Sequence, residues 1–362
     1  MSSTRPQAVP ERPAPVGTIF ILVTTVIVGI LGATGLLTAG ASTPTVTTST
    51  GVVTHGAIVS NFDTIGWLLV CPPSHTLPDD PIVHPGQPGM AHLHNFWGNA
   101  STNGDSTLAS QENIANTASA STYDGSNVEN GTSCSSSSLT GGTSGDTGSY
   151  WAPVVYANGQ QITPTSKAEL YYRAKPMTGS GFEPIPQDAR LIVGSHYATS
   201  LATNPGISGG HLYWICDGVT STHYTTPPTS CTNLVLNVIY PDCWSGGPMD
   251  HSGPLGTDNE RFAYAVNGAC PSGFPIKVPQ LSEKFKYTVP QTGMLIQLSG
   301  DPSTSSTMSM GGSAMTMGLM PTYTAHADFW NTWQPAALRY LVTNCINAQI
   351  SCGTNPIVPV GP

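Results

Sequence analysis

Charge is scarce in this sequence. Lys, Arg, Asp and Glu make up 9% of 362 residues, where an ordinary soluble domain carries roughly 25%. The net charge is −9 and no cluster of Lys or Arg occurs. That excludes nucleic acid, whose phosphates need cationic neutralisation, and a polybasic contact with a membrane surface. The eight cysteines, Cys71, Cys134, Cys216, Cys231, Cys243, Cys270, Cys345 and Cys352, contain no C-x-x-C pair. Zinc-ribbon and thioredoxin-type chemistry therefore have no footing. The P-loop, a post-strand G-x-G-x-x-G and H-E-x-x-H are missing, so no nucleotide is expected. No serine nucleophile elbow is read either.

Gly (39) and Pro (32) are plentiful instead, and Ser, Thr and Asn supply the solubility that charge does not. This is the composition of a loop-rich, exported, all-β protein. An even cysteine count in such a chain points to disulfides. Sequence proximity favours Cys345–Cys352 and Cys216–Cys231, and the remaining connectivity is open.

Residues 16–37 carry no charge and include IFILVTTVIVGILGATGLL, close to the roughly 20 residues that span a bilayer. Arg5 and Arg12 precede it, which orients the rest of the chain outward. The segment 16–41 reads as a signal-anchor or a cleaved signal peptide, after a cytoplasmic stretch 1–15. The protein is thus expected to be extracellular, membrane-anchored through that helix or secreted. A Ser/Thr-rich linker spans 42–55, one β-rich domain 56–354, and a Pro-rich tail 355–362.

Within the domain, short β-branched and aromatic runs recur between Gly, Pro and Asn. They lie at 61–71, 150–156, 160–163, 169–173, 190–195, 211–216, 234–240, 262–266, 284–289 and 293–299. Asn158-Gly159 between two of them signals a tight hairpin. Pro335, then Leu338, Leu341, Val342 and Cys345 at helical spacing, mark one C-terminal helix. The expected fold is a β-sandwich or jelly roll with long loops and that helix.

Two stretches carry the chemistry. His92-Leu93-His94 is followed by Asn95, Phe96 and Trp97, and His326-Ala327-Asp328 by Phe329 and Trp330. In an extended chain, side chains at i and i+2 share a face. Two imidazoles on one face can chelate zinc or copper, or act as acid and base. A carboxylate beside a His can fix its tautomer or complete a metal shell. Read blandly, the same residues form a hydrogen-bonded loop and a turn. Asp250-His251 lies in a Gly/Pro loop and joins the catalytic candidates. Asn95, Trp97, Tyr264 and Trp330 are candidate substrate contacts. His84 is a turn residue near enough to join the site, whereas His55, His75, His196, His211 and His223 read as structural. Five methionines between 308 and 320 could form a copper loop or an apolar lid.

The ordered set DPIVHPG at 80–86, AHLHNFWG at 91–98, YWAP at 150–153, YYR at 171–173, PDCW at 241–244, Asp250-His251, Cys270-Pro271 and HADFWNTW at 326–333 resembles one exported family. It is the fungal and actinobacterial family catalogued as domain of unknown function nineteen-ninety-six, and the likeness runs over roughly 78–346. The resemblance implies an extracellular or wall-associated role and no particular activity. The chain departs from the family pattern at Arg261 and at Phe274-Pro275, where histidines are expected.

Three functions follow. One is a glycan-active hydrolase or lyase, using His92, His94, His326 and Asp328 on a cell-wall or environmental polysaccharide, with no cofactor. The second is a metal-binding protein holding zinc or copper by His92, His94 and His326. The third is a non-catalytic wall-binding module.

Overall fold

A computed structural model describes residues 47–48, 51–52, 65–112, 131–134, 146–164, 167–301 and 322–356. The apolar segment 16–41, most of the linker, the Met-rich stretch and the tail from 357 lie outside them. Among the described residues no helix is long and apolar enough to cross a membrane.

Two sheets, antiparallel but for one edge strand, form a sandwich. The first has five strands in the spatial order Arg190–Gly194, His326–Trp330, Ser149–Pro153, His94–Gly98, His75–Leu77. The second has seven: Val219–Tyr224, Leu212–Cys216, Asn233–Ile239, Gln280–Thr288, Ala168–Arg173, Gly66–Cys71, Ser351–Thr354. The last of these pairs in parallel. Between the sheets, Trp97 packs on Phe285 with ring centroids 4.3 Å apart. The Tyr150 and Tyr172 hydroxyls meet at 2.6 Å, and Trp333 Nε1 donates to both. Four disulfides staple the chain: Cys71–Cys134, Cys216–Cys231, Cys243–Cys270 and Cys345–Cys352. The two pairings favoured by proximity are among them.

The His94–Gly98 and His326–Trp330 strands are buried along their whole length. Period-2 alternation explains how. Trp97, Ala327 and Phe329 face the main core, whereas Phe96, Trp151 and Trp330 face outward into a second apolar cluster with Ile82. The segment 78–93 folds back over that cluster. Two aspartates shape it. Asp79 accepts from the Gly89 and Gly104 amides, and Asp80 from those of Ile82 and Val83. The candidate site therefore lies on the outer face of the five-stranded sheet, beneath this covering loop.

The run 150–156 divides. Ser149–Pro153 stays in the five-stranded sheet, and Val155–Ala157 crosses to a small sheet with Gln160–Ile162 and Ile296–Leu298. Pro153 has no N–H to extend the ladder. Asn158-Gly159 forms the expected hairpin turn, both residues at positive φ. Pro335–Leu341 is the C-terminal helix, and its continuation Val342–Ile346 widens to a π turn.

Candidate metal centre

His94 pairs with Pro153 on the central strand, and Asp328, two residues after His326, pairs with Trp151. The two histidines thus flank Pro153 from either side, on strands roughly 9–10 Å apart. Proline's compact ring lets both imidazoles reach over it. Their Nε2 atoms stand 3.3 Å apart. The other ring nitrogens fix the tautomers. His94 Nδ1 lies 2.9 Å from the Asp79 carbonyl oxygen, and His326 Nδ1 lies 2.8 Å from that of Thr324. A carbonyl only accepts, so each Nδ1 carries the proton and each Nε2 is a lone pair. Two lone pairs face one another in a buried place.

His92 completes a triangle. Its ring centroid is 4.1 Å from that of His94 and 5.0 Å from that of His326. Donor atoms of all three lie within 4.8 Å of one another. The buried Nε2 of His92 has no hydrogen-bond partner among the described residues. Asp328 is fully buried, and neither of its oxygens has a hydrogen-bond partner among the described residues. Its Oδ2 is 3.7 Å from His326 Nε2. Asp80, His94 and Asp328 make a second grouping of the same tightness.

Burial sets the electrostatics. It pushes His94 and His326 well below the usual histidine range, and the neighbouring histidines push them further. His92 is lowered to about 4, first by burial and then by His196 and His84. Burial, with Asp80 and Glu283 adding to it, drives Asp328 well above the carboxylate range. Asp80 rises to about 6, mainly through burial. The site is thus a set of neutral imidazoles beside an acid that water does not reach. A cation placed there would reverse this balance and hold the carboxylate ionised.

The strand bearing His326 is held from the side. Asn204 caps the short helix Pro205–Ser208 and sends its Nδ2 to the Tyr323 and Ala325 carbonyls, 2.8 Å each. Gly194, opposite His326, has φ +98°. A Cβ there would fall 2.3 Å from the Ala325 oxygen, so only glycine allows this approach.

His326 and Asp328 lie two apart on one strand, as the i, i+2 spacing predicts; His92 lies just before its strand rather than in it, and strand order brings the two pairs together. Other candidates sit elsewhere. Asp250 pairs with Arg261, and His251 bridges Asp258 at 2.9 Å and Asp188 at 3.0 Å. Asp188 accepts from Trp330 Nε1. That places the His251 group at the far end of the His326 strand, about 13 Å along it. Trp97 and Trp330 are not sugar platforms, because both are buried in the apolar clusters. Asn95 is buried and accepts from Thr76 Oγ1. Tyr264 stacks on His211 and donates to the Ile239 carbonyl.

His196, read as structural, belongs to the cluster. Its ring is 5.5 Å from His92 and 5.6 Å from His326. It stands alone in a Ser/Gly turn, so no spacing marks it. Asp80 lies in the DPIVHPG stretch, and its carboxylate both caps the turn at Ile82 and Val83 and joins the His94–Asp328 grouping. Gly206-Ile207-Ser208-Gly209-Gly210 spells G-x-S-x-G, contrary to the expectation that no such motif occurs. It ends the one-turn helix after Asn204, with Ser208 Oγ bonded to the Asn204 carbonyl, and forms no nucleophile elbow.

Residues 80–333 match a family described as Domain of unknown function (DUF1996). No curated protein matches the chain, and no solved structure does.

Proposed function

We propose that this chain, which belongs to the DUF1996 family, binds one zinc or copper ion through His92, His94 and His326, with Asp328 beside them. The observation that carries this reading is the 3.3 Å approach of two unprotonated nitrogens. No proton lies between them in the tautomers their Nδ1 partners impose, and burial opposes adding one. Ligand nitrogens about 2.0–2.1 Å from a tetrahedral zinc lie about 3.3–3.4 Å apart. The backbone carbonyls on Nδ1 are the outer partners that orient metal-bound histidines. Imidazole suits zinc and copper alike.

His92 is half-buried and lines an open groove. Three protein ligands and access from a groove are the pattern of a catalytic rather than a closed structural centre. The chemistry a bound ion supplies there is Lewis acidity and an activated water. Asp328 is the residue to hold or take the proton. On this reading the protein is an exported hydrolase or lyase for wall or environmental polysaccharide. Four disulfides agree with an oxidising, extracellular setting.

Elemental analysis of protein purified without chelators tests the metal. About one zinc or copper per chain is expected, and none in a His94→Ala/His326→Ala variant. Wild-type protein that takes up neither ion in calorimetric titration sinks the reading. Polysaccharide cleavage that stops on chelation supports the enzyme. Binding without cleavage assigns the protein to the wall-binding class instead.

A further inference from the structure

The groove beside His92 has a second wall that the metal reading does not use. The small sheet of Val155–Ala157, Gln160–Ile162 and Ile296–Leu298 buries Val155, Ala157, Ile162, Ile296 and Leu298 in the main core. Its other face is open. There Tyr156 pairs in register with Gln161 on one side and Gln297 on the other. Cross-strand neighbours on one face stand side by side, so the three form an amide–phenol–amide row. None of these side chains has a hydrogen-bond partner among the described residues.

The row is rigidly mounted. The Asn158 amide donates to the Leu295 carbonyl and the Leu295 amide to Asn158 Oδ1, both at 2.8 Å. It is also tied to the histidines. The Val154 amide donates to the Leu93 carbonyl, between His92 and His94, and the Ser299 amide to the Val154 carbonyl, both at 2.9 Å. Ser299 Oγ donates to the same Leu93 carbonyl. The groove that joins them holds about 370 Å³ and is lined by Tyr156, Gly159, Gln297, Ser299, Asp301 and His92 among others. Small-molecule sites run to about 300–1,000 Å³.

Its charge is informative. Among the described residues no Lys or Arg lines it, and the one carboxylate there, Asp301, is turned into the wall. There it accepts from the Leu298 amide and from Thr324 Oγ1. Among the described lining residues no fixed charge is left to pair with a phosphate or carboxylate, or with a cation. What remains is an aromatic face flanked by primary amides that both donate and accept. That combination fits a ligand with an apolar ring face and many neutral hydroxyls.

We propose that Gln161, Tyr156 and Gln297 form a subsite for a neutral saccharide, along which a chain runs to His92. The inference deepens the reading above by naming its substrate class, and it rests on that reading only for what happens to the bound sugar.

The test is calorimetric titration of the full chain, metal-free and zinc-loaded, with cellohexaose, laminarihexaose and mannohexaose, and with hexagalacturonate as the charged probe. At least one neutral hexasaccharide is expected to bind in both states, and hexagalacturonate in neither. Tyr156→Ala should weaken binding at least tenfold, and Gln297→Ala severalfold, with the affinity for zinc unchanged. Retention of that zinc affinity and of the melting temperature shows that each variant is folded. Binding of no neutral sugar, or full affinity in Tyr156→Ala, overturns the proposal. Sugar binding without zinc uptake defeats the metal reading alone, and zinc uptake without sugar binding defeats this one alone.

Discussion

Asp328 is the residue that this fold could most easily do without. A buried carboxyl group with no hydrogen-bond partner at either oxygen among the described residues loses its hydration without a hydrogen bond in return. A cost of that kind persists where function requires it. Asp328→Leu keeps the branched outline and puts methyl groups in place of the orphaned oxygens. Melted without metal, this variant is expected to be more stable than the wild type. Its zinc or copper affinity should be lower by about 10–100-fold, the usual effect of losing a supporting carboxylate. A variant that melts lower and binds metal as well as the wild type would assign Asp328 to packing.

The elements around the site show what sequence could and could not reveal. The i, i+2 pairs were legible because strand geometry is local: alternation alone puts His326 and Asp328 on one face. The convergence of His94 with His326 was not, because it depends on strand order, and sequence does not say that one strand, bearing Pro153, lies between them. His196 escaped because a turn has no period. Trp97 and Trp330 were misplaced for a related reason. Aromatics beside a site are as apt to be core as platform, and the covering loop 78–93 turned the outer face of the sheet into a second core. The strands Val219–Tyr224 and Ser351–Thr354 sit at the edges of the larger sheet, where side-chain pattern is weakest.

The element most exposed to a single change is the pair Arg190–Gly194 and His326–Trp330. Gly194→Ala places a methyl group against the Ala325 backbone at a φ that disfavours any side chain. A loss of about 2–4 kcal/mol in unfolding free energy is expected. Metal affinity should drop with it, because the strand that moves carries His326. Denaturant titration and calorimetry on the same preparation check both. Unchanged stability would mean that the strands part here without cost.

For the whole molecule, the acids between the sheets govern the response to pH. Asp146 is buried, accepts from the Gly148 amide and Tyr150 Oη, and is raised to about 8, chiefly by burial. In the unfolded chain it titrates near 4. Between those values the folded state holds a proton that the unfolded state has lost, so stability falls as pH rises. The contribution is complete below the unfolded value and is lost by about pH 8. Asp146→Asn lacks this proton. Its melting temperature relative to wild type should therefore climb from pH 5 to pH 8. A constant difference across that range would show that Asp146 does not titrate on unfolding.

The meeting of His94 and His326 has one more consequence, for the chain as a polymer. The two residues are 232 positions apart. An ion held by both would act as a reversible staple, closing most of the domain into one ring and removing conformations from the unfolded chain, as a long-range disulfide does. It would also draw the equilibrium toward the folded form by mass action. Limited proteolysis should then be slower for zinc-loaded protein than for the chelated form. In a secreted setting, the supply of metal would decide not only whether the site is armed but how long the molecule survives.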